Sequence, residues 1–269
     1  MHRYAVVGHP IAHSRSPEIH AAFARATGQD IVYERLLAPL DGFVATVSAF
    51  AQSGGRGCNV TTPFKQEAFA LCTERTPRAE LAGAVNTLSW ADGRWTGDTT
   101  DGVGLVRDLA NNLGLRLRGR SILLLGAGGA TRGVVEPLLA QSPARLCIAN
   151  RTIERAEALV DVFAALGPVE AVAPAALREP FDIVVNATSA ELSGEASLWP
   201  DAIVGTRTLA YDMSYANQPT AFMRWARERG TAGVADGLGM LIEQAAESFF
   251  VWRGVRPDTR PVFALLRPR

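Results

Sequence analysis

The sequence predicts an α/β protein of two lobes, an N-terminal α/β domain with a mainly parallel sheet and a doubly wound parallel-sheet domain. Short β-like runs alternate with helical patterns along the whole chain. Ile122-Leu123-Leu124-Leu125 is apolar without alternation, as a parallel strand buried on both faces requires. Gly126-Ala127-Gly128-Gly129-Ala130 follows that strand at once and leads into a helical pattern.

The elements follow in order. A strand is expected near Tyr4–Val7, then a helix from Pro17 to about Ala26 and a strand near Ile31–Leu36. Phe43, Val44, Val47 and Phe50 recur at helical spacing and mark the inner face of the next helix. Gly57–Thr61 reads as a strand, and Pro63 opens a helix at its N1 position, which puts Lys65 near N3. The stretch 84–90 pairs with Arg94-Trp95-Thr96 across an Asp92-Gly93 turn. Past Ile122–Leu125, a helix runs over Val134–Leu139. Strands are then expected at Leu146–Ala149, Val169–Val172, Ile183–Asn186, Arg207–Asp212 and Gly233–Ala235. Six such strands complete a doubly wound fold. A last helix runs from Met240 to about Trp252, before a Pro-rich tail. Residues 1–101, completed by 239–269, form the first domain and 102–238 the second, with a cleft between the lobes.

Composition narrows the function classes. With 269 residues, 48% hydrophobic and 20% charged, the chain can bury a large core without disulfides or metals. Lys+Arg 27 balances Asp+Glu 27, which argues against a general nucleic-acid or membrane-surface binder. Cys58, Cys72 and Cys147 are odd in number and lack a CxxC pair, so neither a disulfide framework nor a zinc site is expected. His2, His9, His13 and His20 have no ligand partner at metal spacing. The N-terminal run lacks a signal-peptide core, and no apolar stretch reaches the roughly 18 residues of a membrane span. A soluble, cytoplasmic protein without a metal is expected.

The glycines at 126, 128 and 129 let backbone N–H groups approach a pyrophosphate at a helix N-terminus. Thr131 stands where a third glycine is usual, and a turn of this kind also serves other nucleotides. The next strand ends in Asn150-Arg151-Thr152, with Arg155 one turn on. An NAD site usually places an acid there, whereas guanidinium groups suit a 2′-phosphate, so the pair favours NADP. Two solvated arginines on a helix would look the same.

In the first lobe, Asn59–Lys65 brings polar groups and a lysine to a strand end. A cation in a first helical turn opposes the macrodipole, which hints at a function, although a lysine head reaching water is commoner. Asp101, after Gly97-Asp98-Thr99-Thr100, reads as an N-cap without any catalytic role. Ser14 and Ser16 precede Pro17, where hydroxyls at a helix start suit either a cap or a carboxylate. Gln244 shares a stripe with Leu241, Ala245, Ser248 and Phe249, and a buried amide needs a partner.

Taken in order, these segments resemble the shikimate dehydrogenase family over essentially the whole chain. The matching residues are Val7–Pro17, Asn59–Lys65, Leu81–Thr87, Gly97–Gly102, Gly126–Ala130, Asn150–Thr152, Asn186–Ser189 and Asp236–Met240. The resemblance implies NADPH-dependent, reversible reduction of 3-dehydroshikimate to shikimate, a step toward aromatic amino acids, on a two-lobed fold whose second domain is of Rossmann type. It implies that Ser14 and Ser16 bind the substrate carboxylate, and that Thr61, Asn86, Asp101 and Gln244 hold ring hydroxyls. Tyr215 would lie near the substrate, with Lys65 and Asp101 at the reacting oxygen. Gly126, Ala127, Gly128, Gly129 and Ala130 would line the pyrophosphate, and Asn150, Arg151, Thr152 and Arg155 the adenosine phosphate, with Met213 and Gly237 completing the cofactor site. The implied partners are small molecules, on a monomer or homodimer. Thr99 replaces the family's usual asparagine, and Ala190-Glu191-Leu192 replaces a glycine-containing loop. Thr131 is ordinary there, since the family carries Ser or Thr. A quinate-oxidising relative using NAD, and a non-catalytic NADP sensor, are the competing readings.

Overall fold

The computed structural model describes residues 1–188 and 199–267. They form two six-stranded sheets in two compact units, one of Met1–Gly104 with Leu241–Arg269 and the other of Leu105–Met240. The chain passes from the first unit to the second within helix α5 (Asp101–Arg107) and returns near the start of helix α9 (Leu238–Arg253).

In the first unit the strands are β1 (His2–Gly8), β2 (Ile31–Leu37), β3 (Gly55–Val60), β4 (Glu74–Arg75), β5 (Thr87–Ala91) and β6 (Arg94–Asp98). They lie in the order β2-β1-β3-β5-β6-β4, with β1 parallel to β2 and β3, β4 parallel to β6, and β5 antiparallel to both neighbours. The hairpin turns through Asp92 and Gly93, both at positive φ (51° and 75°), as the twist of a two-residue hairpin favours. The helices are α1 (Ser16–Thr27), α2 (Phe43–Gln52), α3 (Lys65–Leu71), α4 (Pro77–Ala82) and α10 (Arg260–Leu266) with most of α9. Phe43, Val47 and Phe50 of α2 pack with Val7, Val60, Phe64, Leu88 and Trp95 in one core cluster. Val44, placed on the inner face by spacing alone, is 48% exposed.

Two local features differ from the sequence reading. Thr62, Pro63 and Phe64 form a turn, so α3 begins at Lys65 with Phe64 as its cap. Lys65 therefore stands at the first helical position and Pro63 lies outside the helix. Asp101 is likewise inside the first turn of α5, and its carboxylate faces side chains instead of capping the backbone.

The second unit holds β7 (Ser121–Leu125), β8 (Arg145–Ala149), β9 (Val169–Val172), β10 (Ile183–Asn186), β11 (Leu209–Asp212) and β12 (Gly233–Ala235). All pair in parallel in the order β12-β11-β10-β7-β8-β9, which reverses direction beside β7, the first strand of the unit. Helices α6 (Gly129–Leu139), α7 (Ile153–Phe163) and α8 (Ala221–Glu228) connect them. Helix α6 starts at Gly129 with Gly128 as its cap, so the glycine-rich turn leads directly into the helix that runs on through Val134–Leu139. No helix among the described residues is long and apolar enough to cross a membrane, and none of their side-chain clusters could hold a metal.

Candidate active site

Register brings the first unit's polar groups to one sheet edge. Val7 of β1 pairs with Val60 of β3, Asn59 with Thr87 of β5, and Thr87 with Asp98 of β6. The segments leaving β1, β3 and β6, and the one entering β5, therefore emerge together. Gly8 allows this crowding, since a Cβ there would stand 2.4 Å from the Thr61 methyl.

Lys65 and Asp101 meet at that edge. Nζ of Lys65 donates to Oδ2 of Asp101 at 2.6 Å, and both side chains are largely buried (16% and 9% exposed). Nδ2 of Asn86 donates to the other carboxylate oxygen at 2.9 Å, to the Thr100 hydroxyl at 3.0 Å and to Oε1 of Gln244 at 3.3 Å. Oδ1 of Asn86 accepts from the Thr100 backbone N–H and the Thr87 hydroxyl, both at 2.8 Å. The amide is thus held on both sides and fixes the carboxylate orientation. Gln244 anchors its own Nε2 on the Leu241 carbonyl, one turn back in α9.

Beneath these groups lie partners that the sequence did not single out. Ser248 of α9 accepts from Nδ2 of Asn59 at 2.8 Å and shares hydrogen bonds with Thr87 and Thr100 at 2.9 and 3.1 Å. Asn59 accepts from the Tyr33 hydroxyl at 2.8 Å. Ser248 stood in the stripe of Gln244, the single signal that could have marked it. Ser14 and Ser16 are buried and close, with Oγ of Ser14 donating to Oγ of Ser16 at 3.2 Å, where α1 begins. Thr61 follows the end of β3 and is half-buried.

The second unit gathers its own set at the carboxyl ends of its strands. Gly126 has φ +105°, a conformation natural to glycine, and its carbonyl accepts from the buried Thr131 hydroxyl at 2.9 Å. Thr131 thereby braces the turn where a third glycine is usual. A Cβ at Gly128 or Gly129 would meet nothing within 4 Å among the described residues, whose packing therefore does not demand glycine there. That open space lies at the N-terminus of α6, a suitable cradle for a phosphate. Ala127 and Ala130 flank these glycines in the turn and the first residues of α6.

Beyond β8, Asn150 donates to the Thr152 carbonyl at 2.7 Å, and Arg151, Thr152 and Arg155 are exposed. Neither arginine has an acidic partner among the described residues, and no acid ends β8. This donor set fits a dianionic phosphate on a nucleotide ribose. A Cβ at Gly237 would fall 2.1 Å from the Met213 carbonyl oxygen, so glycine lets the turn after β12 close on the one after β11. Tyr215 lies half-buried on that latter turn. Ser189 and the Ala190-Glu191-Leu192 segment lie outside the described residues.

Three family models match the chain: a shikimate dehydrogenase substrate binding domain over residues 6–88, shikimate / quinate 5-dehydrogenase over 108–193, and a shikimate 5'-dehydrogenase C-terminal domain over 237–266. A shikimate dehydrogenase (NADP(+)) of Alkalilimnicola ehrlichii is 57% identical over 99% of this chain and 98% of its own length. One of Hahella chejuensis is 54% identical over 99% of each. Among solved structures, an Ael1 enzyme from Pseudomonas putida has a TM-score of 0.93 at 47% identity, covering 100% of this chain and 99% of its own. The Thermus thermophilus shikimate 5-dehydrogenase in complex with NADP(H) and shikimate has a TM-score of 0.85 at 35% identity, covering 97% and 96%.

Proposed function

The chain belongs to the shikimate dehydrogenase family, and on that footing we propose that Lys65 and Asp101 carry out NADP-dependent oxidoreduction of shikimate at their shared position. The enzyme is an oxidoreductase acting on a CH–OH group, in the pathway toward aromatic amino acids. The observation that carries the assignment of roles is the 2.6 Å contact between the Lys65 ammonium and the Asp101 carboxylate, with Asn86 fixing the second oxygen.

Bound NADP supplies the hydride carrier. The protein must align the ring and manage one proton. In the reducing direction the substrate carbonyl oxygen gains negative charge, and the Lys65 ammonium stabilises it and donates the proton. Asp101 keeps the ammonium aimed and accepts from the neighbouring ring hydroxyl. Asn86, Thr61 and Gln244 bind the remaining hydroxyls, and Ser14 and Ser16 the carboxylate at the start of α1. Tyr215 completes the substrate contacts.

For the cofactor, Gly126, Ala127, Gly128, Gly129 and Ala130 would hold the pyrophosphate, and Asn150, Arg151, Thr152 and Arg155 the adenosine phosphate. Met213 and Gly237 would border the remaining part of the molecule. On this reading residues 1–101 with 239–269 carry the substrate site and 102–238 the cofactor site. The free, buried thiols of Cys58, Cys72 and Cys147 support a reducing, cytoplasmic setting.

The experiment is an assay of shikimate and quinate with NADP and NAD. Turnover of shikimate with NADP far above the other three combinations is the expected result. Preference for quinate, or for NAD, overturns the substrate or cofactor assignment respectively, and binding without turnover overturns the catalytic roles.

A further inference from the structure

We propose that Arg35 is the cation of the carboxylate subsite and sets the preference for an anionic over a neutral ring, an inference that rests on the reading of Ser14 and Ser16 given above. Arg35 lies on β2, the edge strand of the first sheet, two residues from Tyr33 and so on the same face. That face is turned to α1, because the Tyr33 ring stacks on His20 at 4.1 Å and 4°. From there Nε and Nη2 of Arg35 donate to the Ser14 carbonyl at 3.0 and 2.5 Å. Three of the five guanidinium N–H groups stay available beside the two serines.

Charge balance singles out this residue. The Ser14 and Ser16 hydroxyls are neutral, and a carboxylate bound by them alone would keep its full charge. Other cations of the first unit are already paired: Arg15, adjacent to Ser14 and Ser16 in sequence, with Glu18 at 2.8 Å, Arg3 with Glu34 at 2.7 Å, and Lys65 with Asp101. Arg35 has no carboxylate within ion-pair distance among the described residues, although its face of β2 could have carried one. The α1 N-terminus adds only a partial positive charge. Arg35 is exposed, so its attraction is screened by water and salt, and it acts on substrate binding more than on the chemical step.

The test compares KM and kcat for shikimate and its methyl ester in the wild type, Arg35→Gln, Arg35→Lys and Ser16→Ala. Glutamine keeps donors for the Ser14 carbonyl while removing the charge. Arg35→Gln is expected to raise KM for the acid by about threefold to tenfold, with the ester KM and both kcat values unchanged. Arg35→Lys is expected to restore part of the loss. An equal rise for acid and ester, or no rise, overturns the proposal, the first of these leaving Arg35 as a support for the Ser14 turn alone. If Ser16→Ala changes neither KM while Arg35→Gln behaves as expected, the serine reading falls and Arg35 stands. The converse result removes Arg35 and keeps the serines.

Discussion

The Lys65 ammonium and the Asp101 carboxylate join two helix N-termini, 36 residues apart in sequence, through one 2.6 Å hydrogen bond. The macrodipole disfavours a lysine in the first turn of α3 and favours an aspartate in the first turn of α5. The carboxylate therefore compensates a cation that its own helix would not hold. On the proposed reading, an incoming substrate oxygen would meet a donor already aimed, beside a carboxylate whose second oxygen accepts from Asn86.

Removing the donor tests this arrangement. Lys65→Ala is expected to lower kcat by roughly 10²–10⁴, the usual size of general acid–base catalysis, while shikimate still binds. Asp101→Asn keeps the shape and removes the charge, and should lower kcat and raise KM if Asp101 also holds a ring hydroxyl as proposed. Steady-state kinetics with shikimate and NADP measure both. Turnover of Lys65→Ala close to wild type would remove the lysine from the mechanism.

Ser248 carries the next expectation. Its hydroxyl is fully buried and accepts from Asn59 while sharing hydrogen bonds with Thr87 and Thr100. Ser248→Ala removes the shortest acceptor of the Asn59 amide, leaving the Asn86 carbonyl and the Thr87 hydroxyl at 3.1 Å, and also takes a hydrogen-bond partner from Thr87 and Thr100; a buried hydrogen bond lost in this way costs about 0.5–1.5 kcal/mol. Urea unfolding should show a lower midpoint with an unchanged slope. A midpoint equal to wild type would mean that other acceptors absorb the loss.

These two sites show what the sequence could and could not reveal. Strand ends and the glycine-rich turn were legible, because buried parallel strands and positive-φ turns leave composition marks at fixed places. Lys65, Asp101, Asn86 and Gln244 stood out only through their motifs, and the position of Lys65 within α3 was misread because Pro63 resembles a helix start. The hydrogen bonds that join Ser248, Asn59, Thr87 and Tyr33 were not legible. The partners lie up to 189 residues apart, and each residue type is ordinary on its own strand or helix. Helices α4 and α10 are too short to show a period, and β4 has two residues.

His20 predicts the acid behaviour of the first unit. It is fully buried among Tyr33, Phe23, Phe249 and Trp252, and neither ring nitrogen has a hydrogen-bond partner among the described residues. Burial pushes its pKa down to about 3, opposed only in part by the nearby Asn59. The unfolded chain binds a proton near 6.5, so between about 6.5 and 3 it holds more protons than the folded one. Stability from this group is complete above 6.5 and falls with falling pH, by at most about 1.4 kcal/mol per unit. Denaturant unfolding of His20→Phe from pH 7 to 4 should show a shallower acid limb than wild type. Parallel limbs would mean that His20 is not the titrating group.

The proposed role of Arg151 and Arg155 is to select the nucleotide. Both are exposed without an acidic partner among the described residues, and the missing acid at the end of β8 removes the usual ligand for a ribose 2′-OH. Arg151→Ala should weaken NADP binding by about tenfold or more and NAD binding much less, since a charge-assisted phosphate contact is lost in one case alone. Titration of each cofactor by fluorescence gives the ratio. Equal losses would assign the arginine to a part of the molecule that both cofactors share.

Gly128 separates a binding role from a folding role within one residue. Its φ of −93° is open to any amino acid, and a Cβ there would touch nothing within 4 Å among the described residues. Gly126, by contrast, has φ +105° and sits against Thr188, so alanine there is strained in the free protein. Gly128→Ala should therefore keep the thermal midpoint of the ligand-free protein within a degree or two, as surface substitutions do. It should also raise the NADP dissociation constant by about tenfold if the pyrophosphate binds as proposed, because a methyl group would then block its approach to the backbone N–H groups of α6. Gly126→Ala should lower the midpoint even without nucleotide. Measuring midpoint and dissociation constant for both variants tests the distinction. Unchanged affinity in Gly128→Ala would show that the phosphate approaches elsewhere, and a lowered midpoint in the same variant would show that the open space is filled by the protein itself.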